Sequence, residues 1–241
     1  MSISLGLVRL LAEEVLPSVN HDSMVSLARQ QLVVNVPNFV NYMAQIGHPA
    51  TPDEVAYTSK NLFTDLGFKR YEDIDFNDDE GVTIVHDMNL PIGNTQGQFD
   101  FVFECGTMEH IFDIRQVFEN VINLCKVGGT VFHCSPLTWI NHGFYNFSMT
   151  LFFDVYRNNG FEDFKFWIVK FPKNWSQGGE TVVYDADFTP TQFLNNCPED
   201  FLLIAFTAKK KEEKLFTVPC QAAYDPVLAI DSSLKQHRRP Q

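Results

Sequence analysis

Basic residues are scarce in this chain, with 18 Lys and Arg against 30 Asp and Glu and a formal charge of −12. A nucleic-acid phosphate backbone needs Lys and Arg clustered on one face, so no nucleic-acid partner is expected. The one basic run, Lys209-Lys210-Lys211, is followed at once by Glu212 and Glu213 and is expected to be a solvated strand end. Cysteine is sparse too. Five scattered cysteines without a Cys-x-x-Cys pair make neither a disulfide framework nor a zinc spacing, and a reducing cytoplasm fits best. Long apolar runs are missing: the segment from Leu5 to Leu16 is interrupted by Arg9, Glu13 and Glu14. It supports neither a signal-peptide core nor a membrane span, and reads as an amphipathic helix. Internal repeats and low-complexity tracts are absent as well.

What is present is apolar and aromatic. At 241 residues and 45% hydrophobic, one domain with a sizeable core is expected, and the 23 phenylalanines suit core packing and pocket walls alike. The clearest local signal is Phe99-Asp100-Phe101-Val102-Phe103-Glu104-Cys105, a doubly buried strand that breaks at Gly106 and delivers the polar pair Glu109-His110 to its tip. Asp113 can cap the helix that follows, with Ile114, Val117, Phe118, Val121, Ile122 and Cys125 at helical spacing, and Gly128-Gly129 read as its stop. Thr130 to Cys134 is the next strand. This β-α-β unit predicts a parallel sheet.

Ser23 to Ala28, Phe68 to Asp75 and Val82 to Asp87 read as three earlier strands, and Thr51-Pro52-Asp53-Glu54 as a helix start closed by Gly67. Alternation of this kind predicts a doubly wound α/β fold. Phe164 to Val169 and Leu202 to Thr207 suggest an antiparallel C-terminal edge. Residues 1–210 are expected to form one domain, with a helix within 1–22 and a helical insertion or cover at 31–66. Residues 211–241 read as a polar tail, partly ordered at best. A homodimer through the first helix or an apolar edge is compatible with the sequence.

Three strand ends carry acids: Asp75, Asp87 and Glu104. In a parallel sheet such tips line one crevice, and a carboxylate at one of them can accept two hydroxyls of a ribose, the role assigned to Asp75; a solvated turn is the plainer alternative. His86-Asp87-Met88-Asn89-Leu90-Pro91, Phe99-Asp100-Phe101-Val102, Gly106-Thr107-Met108-Glu109-His110, Gly128-Gly129 and His142-Gly143-Phe144-Tyr145 follow in order. Together they resemble a class I S-adenosylmethionine-dependent methyltransferase of Rossmann-like fold, over roughly residues 23–165.

The resemblance implies S-adenosylmethionine as cofactor, S-adenosylhomocysteine as product, and methyl transfer to an oxygen or nitrogen of a small-molecule acceptor. It implies that Asp75 binds the ribose, that Asp87 holds the adenine amino group with Met88 against the ring, and that Glu104, Cys105 and Gly106 lie beside the methionine part. Leu27, Ala28 and Arg29 would form the first turn. That turn departs from the family, which has a glycine-rich segment where this chain has Ser26-Leu27-Ala28-Arg29-Gln30. Arg29 can pair with the cofactor carboxylate or with a nearby acid. The departure sustains a second reading, a catalytically inactive methyltransferase-like binding or scaffold protein. A nicotinamide oxidoreductase fits less well, because the first turn lacks Gly-x-Gly-x-x-Gly.

His142 is the preferred general base, with Tyr145 as a substrate contact, and His110 is a second candidate. Each has a bland counterpart: His142 ordering its loop, His110 capping or bonding within the core. His86 and His133 read as packed. No compact His and carboxylate cluster is visible in the sequence, so no metal is expected, and Cys105 lacks a base beside it.

Overall fold

The computed structural model describes residues 2–51, 57–79, 81–93, 97–171, 182–185 and 201–224. The chain opens with α1 (Leu5–Leu10), where the Ser4 side chain accepts the Leu7 amide, and continues through a π turn (Leu11–Val15) and a 3-10 turn (Leu16–Ser18). Leu7, Val8, Leu11 and Val15 are buried while Arg9, Glu13 and Glu14 face out, the amphipathic pattern read from the sequence.

Strand β1 (Met24–Leu27) is followed by α2 (Val36–Gln45), capped by Asn35, and α3 (Ser59–Asp65), capped by a reciprocal Thr58–Asn61 pair. The helix start expected at Thr51 is therefore displaced: Thr51 is not helical, residues 52–56 lie outside the described residues, and the cap sits at Thr58. Gly67, at φ +95°, closes α3 as expected. Then come β2 (Tyr71–Asp75), the short β3 (Ile84–Val85), β4 (Phe99–Cys105), α4 (Ile114–Leu124) and β5 (Cys125–Pro136). Helix α5 (Met149–Asn158) leads to β6 (Phe161–Phe171), β7 (Val182–Asp185) and β8 (Phe201–Lys210).

The strands form one sheet in the order β3-β2-β1-β4-β5-β8-β6-β7. The first five run parallel, and β8, β6 and β7 continue the sheet antiparallel. After β1 the chain winds to β2 and β3 on one side and then returns to β4 on the other. This reversal between β1 and β4 is the switch point where doubly wound sheets open a crevice beyond their carboxyl ends.

Both faces of the sheet are covered. Phe101, Phe103 and Cys105 pack with Phe63 and Leu7 in one layer, whereas Val102 joins Phe118, Val121, Phe152 and Tyr156 in the other. Phe103 stacks on Phe132 at 5.4 Å and meets Phe63 at 4.8 Å. Truncating such a side chain costs about 3–5 kcal/mol. At the opposite end from the crevice, Asp100 accepts from Ser23 Oγ and pairs with Lys126 Nζ at 2.7 Å, tying the beginnings of β1, β4 and β5.

Two expectations need correction. Gly128 and Gly129 do not stop α4, which ends at Leu124; they lie inside β5, where the register with β4 shifts. A β-carbon on Gly129 would sit 3.0 Å from the carbonyl oxygens of Phe99 and Asp100, so the close pass of β4 requires glycine. Lys210 is not solvated: it is 1% exposed and donates to the Ile122 and Cys125 carbonyls while pairing with Glu213. The segment after it is anchored through Thr217, which bonds Asn159 in both directions, and through Phe216 beneath the Arg115 guanidinium. No helix among the described residues is long and apolar enough to cross a membrane.

Candidate functional site

Register places four strand exits side by side. Leu27 stands opposite both Ile74 and Glu104, and Glu104 opposite His133, so the ends of β2, β1, β4 and β5 share one edge. At the β1 exit, Ala28 holds φ at +60°, the left-handed conformation usually left to glycine. Its amide donates to the Ile74 carbonyl, and the Ser26 hydroxyl donates to the Ala28 carbonyl. Thr107 closes the far side: its hydroxyl donates to the Leu27 carbonyl and accepts from Gln30 Nε2. The turn keeps its left-handed bend without glycine because neighbouring hydrogen bonds hold it there.

Asp75 is half-buried at the β2 tip. Its Oδ1 accepts the Phe76 amide, and Oδ2 has no hydrogen bond among the described residues. Asp87 accepts from both the amide and the side chain of Asn89, which holds its carboxyl below the usual range. Gly106, at φ +69°, makes the bend that ends β4.

Other expected contacts turn inward. Arg29 takes the second of its two roles, pairing through Nε with the fully buried Asp73 at 2.6 Å. Leu27 is fully buried and offers the crevice only backbone, and Met88 is 5% exposed, packed in the core beside Asn120. The Cys105 thiol lies in the same buried layer as Cys134. Glu104 is an interior hub: Oε1 accepts the Thr107 and Met108 amides, while Oε2 meets His133 Nδ1 and Ser135 Oγ at 3.0 Å each. Burial pushes its carboxyl up, but His133 and the two amides outweigh burial and hold it down. Tyr145 donates its hydroxyl to the Phe112 carbonyl, so it fixes the rim of the site.

The structure overturns the expectation that no His and carboxylate cluster exists. Glu109, His110 and His142 each offer a ligand atom, all within 4.8 Å of one another. His142 Nε2 lies 3.4 Å and His110 Nε2 3.8 Å from Glu109 Oε1. A short 3-10 turn (Met108–His110) at the β4 tip supplies the first two residues, and the loop after β5 supplies the third. Two contacts seat that loop: the Phe144 amide donates to the Glu109 carbonyl at 2.8 Å, and Gly143 lies flat against Glu109. Trp139 stacks on His142 at 4.0 Å and on Phe201 at 4.5 Å.

Glu109 is fully buried, and neither of its carboxylate oxygens, nor His142 Nε2, has a hydrogen-bond partner among the described residues. Burial and the nearby Glu104 charge push its carboxyl up to about 8. Burial lowers both His110 and His142, with His110 adding to the effect on His142. The sequence showed Glu109 as half of a polar pair without a role. The signal that could have found it was the glycine of His142-Gly143, an open turn that lets a second chain segment lie against it.

Phe112, Ile140 and Phe144, close in sequence to His110 and His142, are exposed, with Phe112 edge-on to Phe144 at 5.7 Å. A separate surface cleft of about 330 Å³, lined by Glu14, Thr130, Lys165 and Lys209 among others, lies toward the other end of the sheet and has none of these groups.

Strand order, switch point and antiparallel extension together define the class I, Rossmann-like methyltransferase fold. A solved S-adenosylmethionine-dependent methyltransferase from Archaeoglobus fulgidus shares it at 12% identity and a TM-score of 0.50, over 85% of this chain and 93% of that one. Another from Thermotoga maritima matches at 17% identity and 0.44, over 85% and 89%. The phosphoethanolamine N-methyltransferase 2 of Haemonchus contortus, solved with S-adenosylmethionine, matches at 11% and 0.46, over 86% and 53%. No protein-family model and no curated protein matches the chain.

Proposed function

We propose that this protein transfers a methyl group from S-adenosylmethionine to an oxygen or nitrogen of a small molecule. The observation that carries this reading is the switch-point crevice itself. There the left-handed turn at Ala28 stands beside the Asp75 carboxylate, one oxygen of which is open to a ligand. The residues fit the cofactor: Asp75 would accept the ribose hydroxyls, Asp87 the adenine amino group, and the backbone at Ala28 and Gly106 would line the methionine part. When bound, the cofactor supplies an electrophilic methyl on a sulfonium. The acidic tips favour that positive charge.

The protein's own contribution is placement and proton management. Tyr145 and the Phe112–Phe144 pair shape an apolar rim suited to a small organic acceptor. With no ion at the cluster, the acceptor's proton leaves toward His110 and His142, whose imidazoles are biased to the neutral form that accepts protons. The free thiols of Cys105, Cys125, Cys134 and Cys220 support a cytoplasmic setting.

Calorimetric titration with S-adenosylhomocysteine, with a nicotinamide cofactor as control, tests this. Micromolar binding of the sulfur compound alone supports the reading. A folded protein that binds neither is a non-catalytic member of the fold.

A further inference from the structure

We propose that Glu109, His110 and His142 form a binding site for a divalent first-row transition-metal ion. One carboxylate and two imidazoles are the mixed donor set of three-ligand sites that leave coordination positions open. A metal about 2.0–2.2 Å from each donor separates neighbouring donors by about 3.0–3.6 Å. Glu109 Oε1 and His142 Nε2 are already 3.4 Å apart, and His110 Nε2 lies 3.8 Å from the same oxygen. His110 is half-exposed and can close the remaining distance by side-chain rotation.

The unsatisfied atoms are the second observation. Both Glu109 oxygens and His142 Nε2 are buried, face one another and form no hydrogen bond among the described residues. Leaving three polar atoms of a fully buried carboxylate and its neighbour unmatched is costly. Glu109 Oε1 and His142 Nε2, 3.4 Å apart, repel as two lone pairs unless a proton or a metal ion lies between them. A metal ion engages the carboxylate and both imidazoles at once, which a single proton does not.

The site is also built to hold its shape. Glu109 is fixed by burial, the Phe144 amide clamps the loop to the Glu109 carbonyl, and Trp139 stacks on the His142 ring. Solvent reaches it through His110, whose side chain is half-exposed. The open positions therefore face the rim where an acceptor enters, and the ion would hold that acceptor through an oxygen or nitrogen atom. Only this last role rests on the methyl-transfer reading; ion binding does not.

The test uses the full chain, stripped with chelator and titrated with Co²⁺ by visible absorption and with Zn²⁺ and Mn²⁺ by calorimetry. One equivalent of ion is expected, with a cobalt d–d spectrum. Glu109→Gln, His142→Ala and His110→Ala should each weaken binding by about 100-fold or more, since even second-sphere losses cost 10- to 100-fold. Asp87→Asn should bind the ion as the parent does, and thermal melts establish that each variant is folded. Absence of stoichiometric binding, or Glu109→Gln and His142→Ala binding like the parent, overturns the site. S-adenosylhomocysteine is titrated separately. Its binding without metal binding sinks this proposal and leaves the methyl-transfer reading; the converse leaves the metal site and sinks that reading.

Discussion

A β-carbon placed on Gly143 would fall 2.7 Å from the carbonyl oxygen of Glu109 and 2.9 Å from its Cγ. The loop after β5 thus reaches the β4 tip only because residue 143 has no side chain, and that contact is what sets His142 beside Glu109. Gly143→Ala should push the loop outward at a cost of about 1–3 kcal/mol, the usual range for overpacking. Ion affinity and turnover should fall while S-adenosylhomocysteine affinity stays unchanged. Calorimetry with both ligands on one preparation checks this; equal loss of both would show that the loop also shapes the cofactor crevice.

The metal-free protein should lose stability as pH rises, through Glu109. Its folded value, about 8, stands above the ordinary 4.5, so the folded state holds the extra proton between the two. The contribution is full below about 4.5 and declines by up to about 1.4 kcal/mol per pH unit until about 8. His110 and His142, both lowered, act in the opposite sense, and Glu104 is held ionised. The comparison of interest is therefore between the parent and Glu109→Gln in chelator. Urea unfolding from pH 5 to 9 should show a stability gap that favours the parent at low pH and shrinks as pH rises. A gap independent of pH would mean that Glu109 does not titrate in this range.

Asp75→Ala should weaken S-adenosylhomocysteine binding by about 10- to 100-fold, the worth of one hydrogen bond to a charged acceptor at about 1.5–3 kcal/mol. Fold stability should be unaffected, because the half-buried Asp75 side chain bonds only its neighbour's amide among the described residues. Titration calorimetry and a thermal melt separate the two. Unchanged affinity would remove Asp75 from the ribose assignment.

Glu104→Ala should behave in the opposite way. The substitution strips partners from His133, Ser135 and the Thr107 and Met108 amides inside the core, and breaking such a buried pair costs about 3–5 kcal/mol. The urea midpoint should fall sharply. A small change there would mean that water takes over the vacated positions.

The alternating strands and helices, the doubly buried β4 and the acids at strand tips were legible in the sequence because each depends on neighbours in the chain. Hydrophobic period, capping residues such as Asp113, and strand-end polarity all act over a few residues. Local signals misled where a distant segment decided. Gly128-Gly129 looked like a helix stop, but they lie within β5, where β4 passes close to Gly129 and Gly128 holds φ at +86°. Lys210 looked solvated, yet carbonyls at Ile122 and Cys125 bury it. Glu104 looked like a ligand contact, and partners from β5 draw it inward.

The candidate site divides along the same line. Composition and motif order by themselves determined a doubly wound α/β chain with an acidic crevice, since burial patterns and turn chemistry are written in short spans. Only the tertiary structure decided that Glu109 and His110 would meet His142, more than thirty positions away. That meeting depends on sheet register, a loop's path and the space left by one missing β-carbon, and none of these is a property of a short stretch of chain.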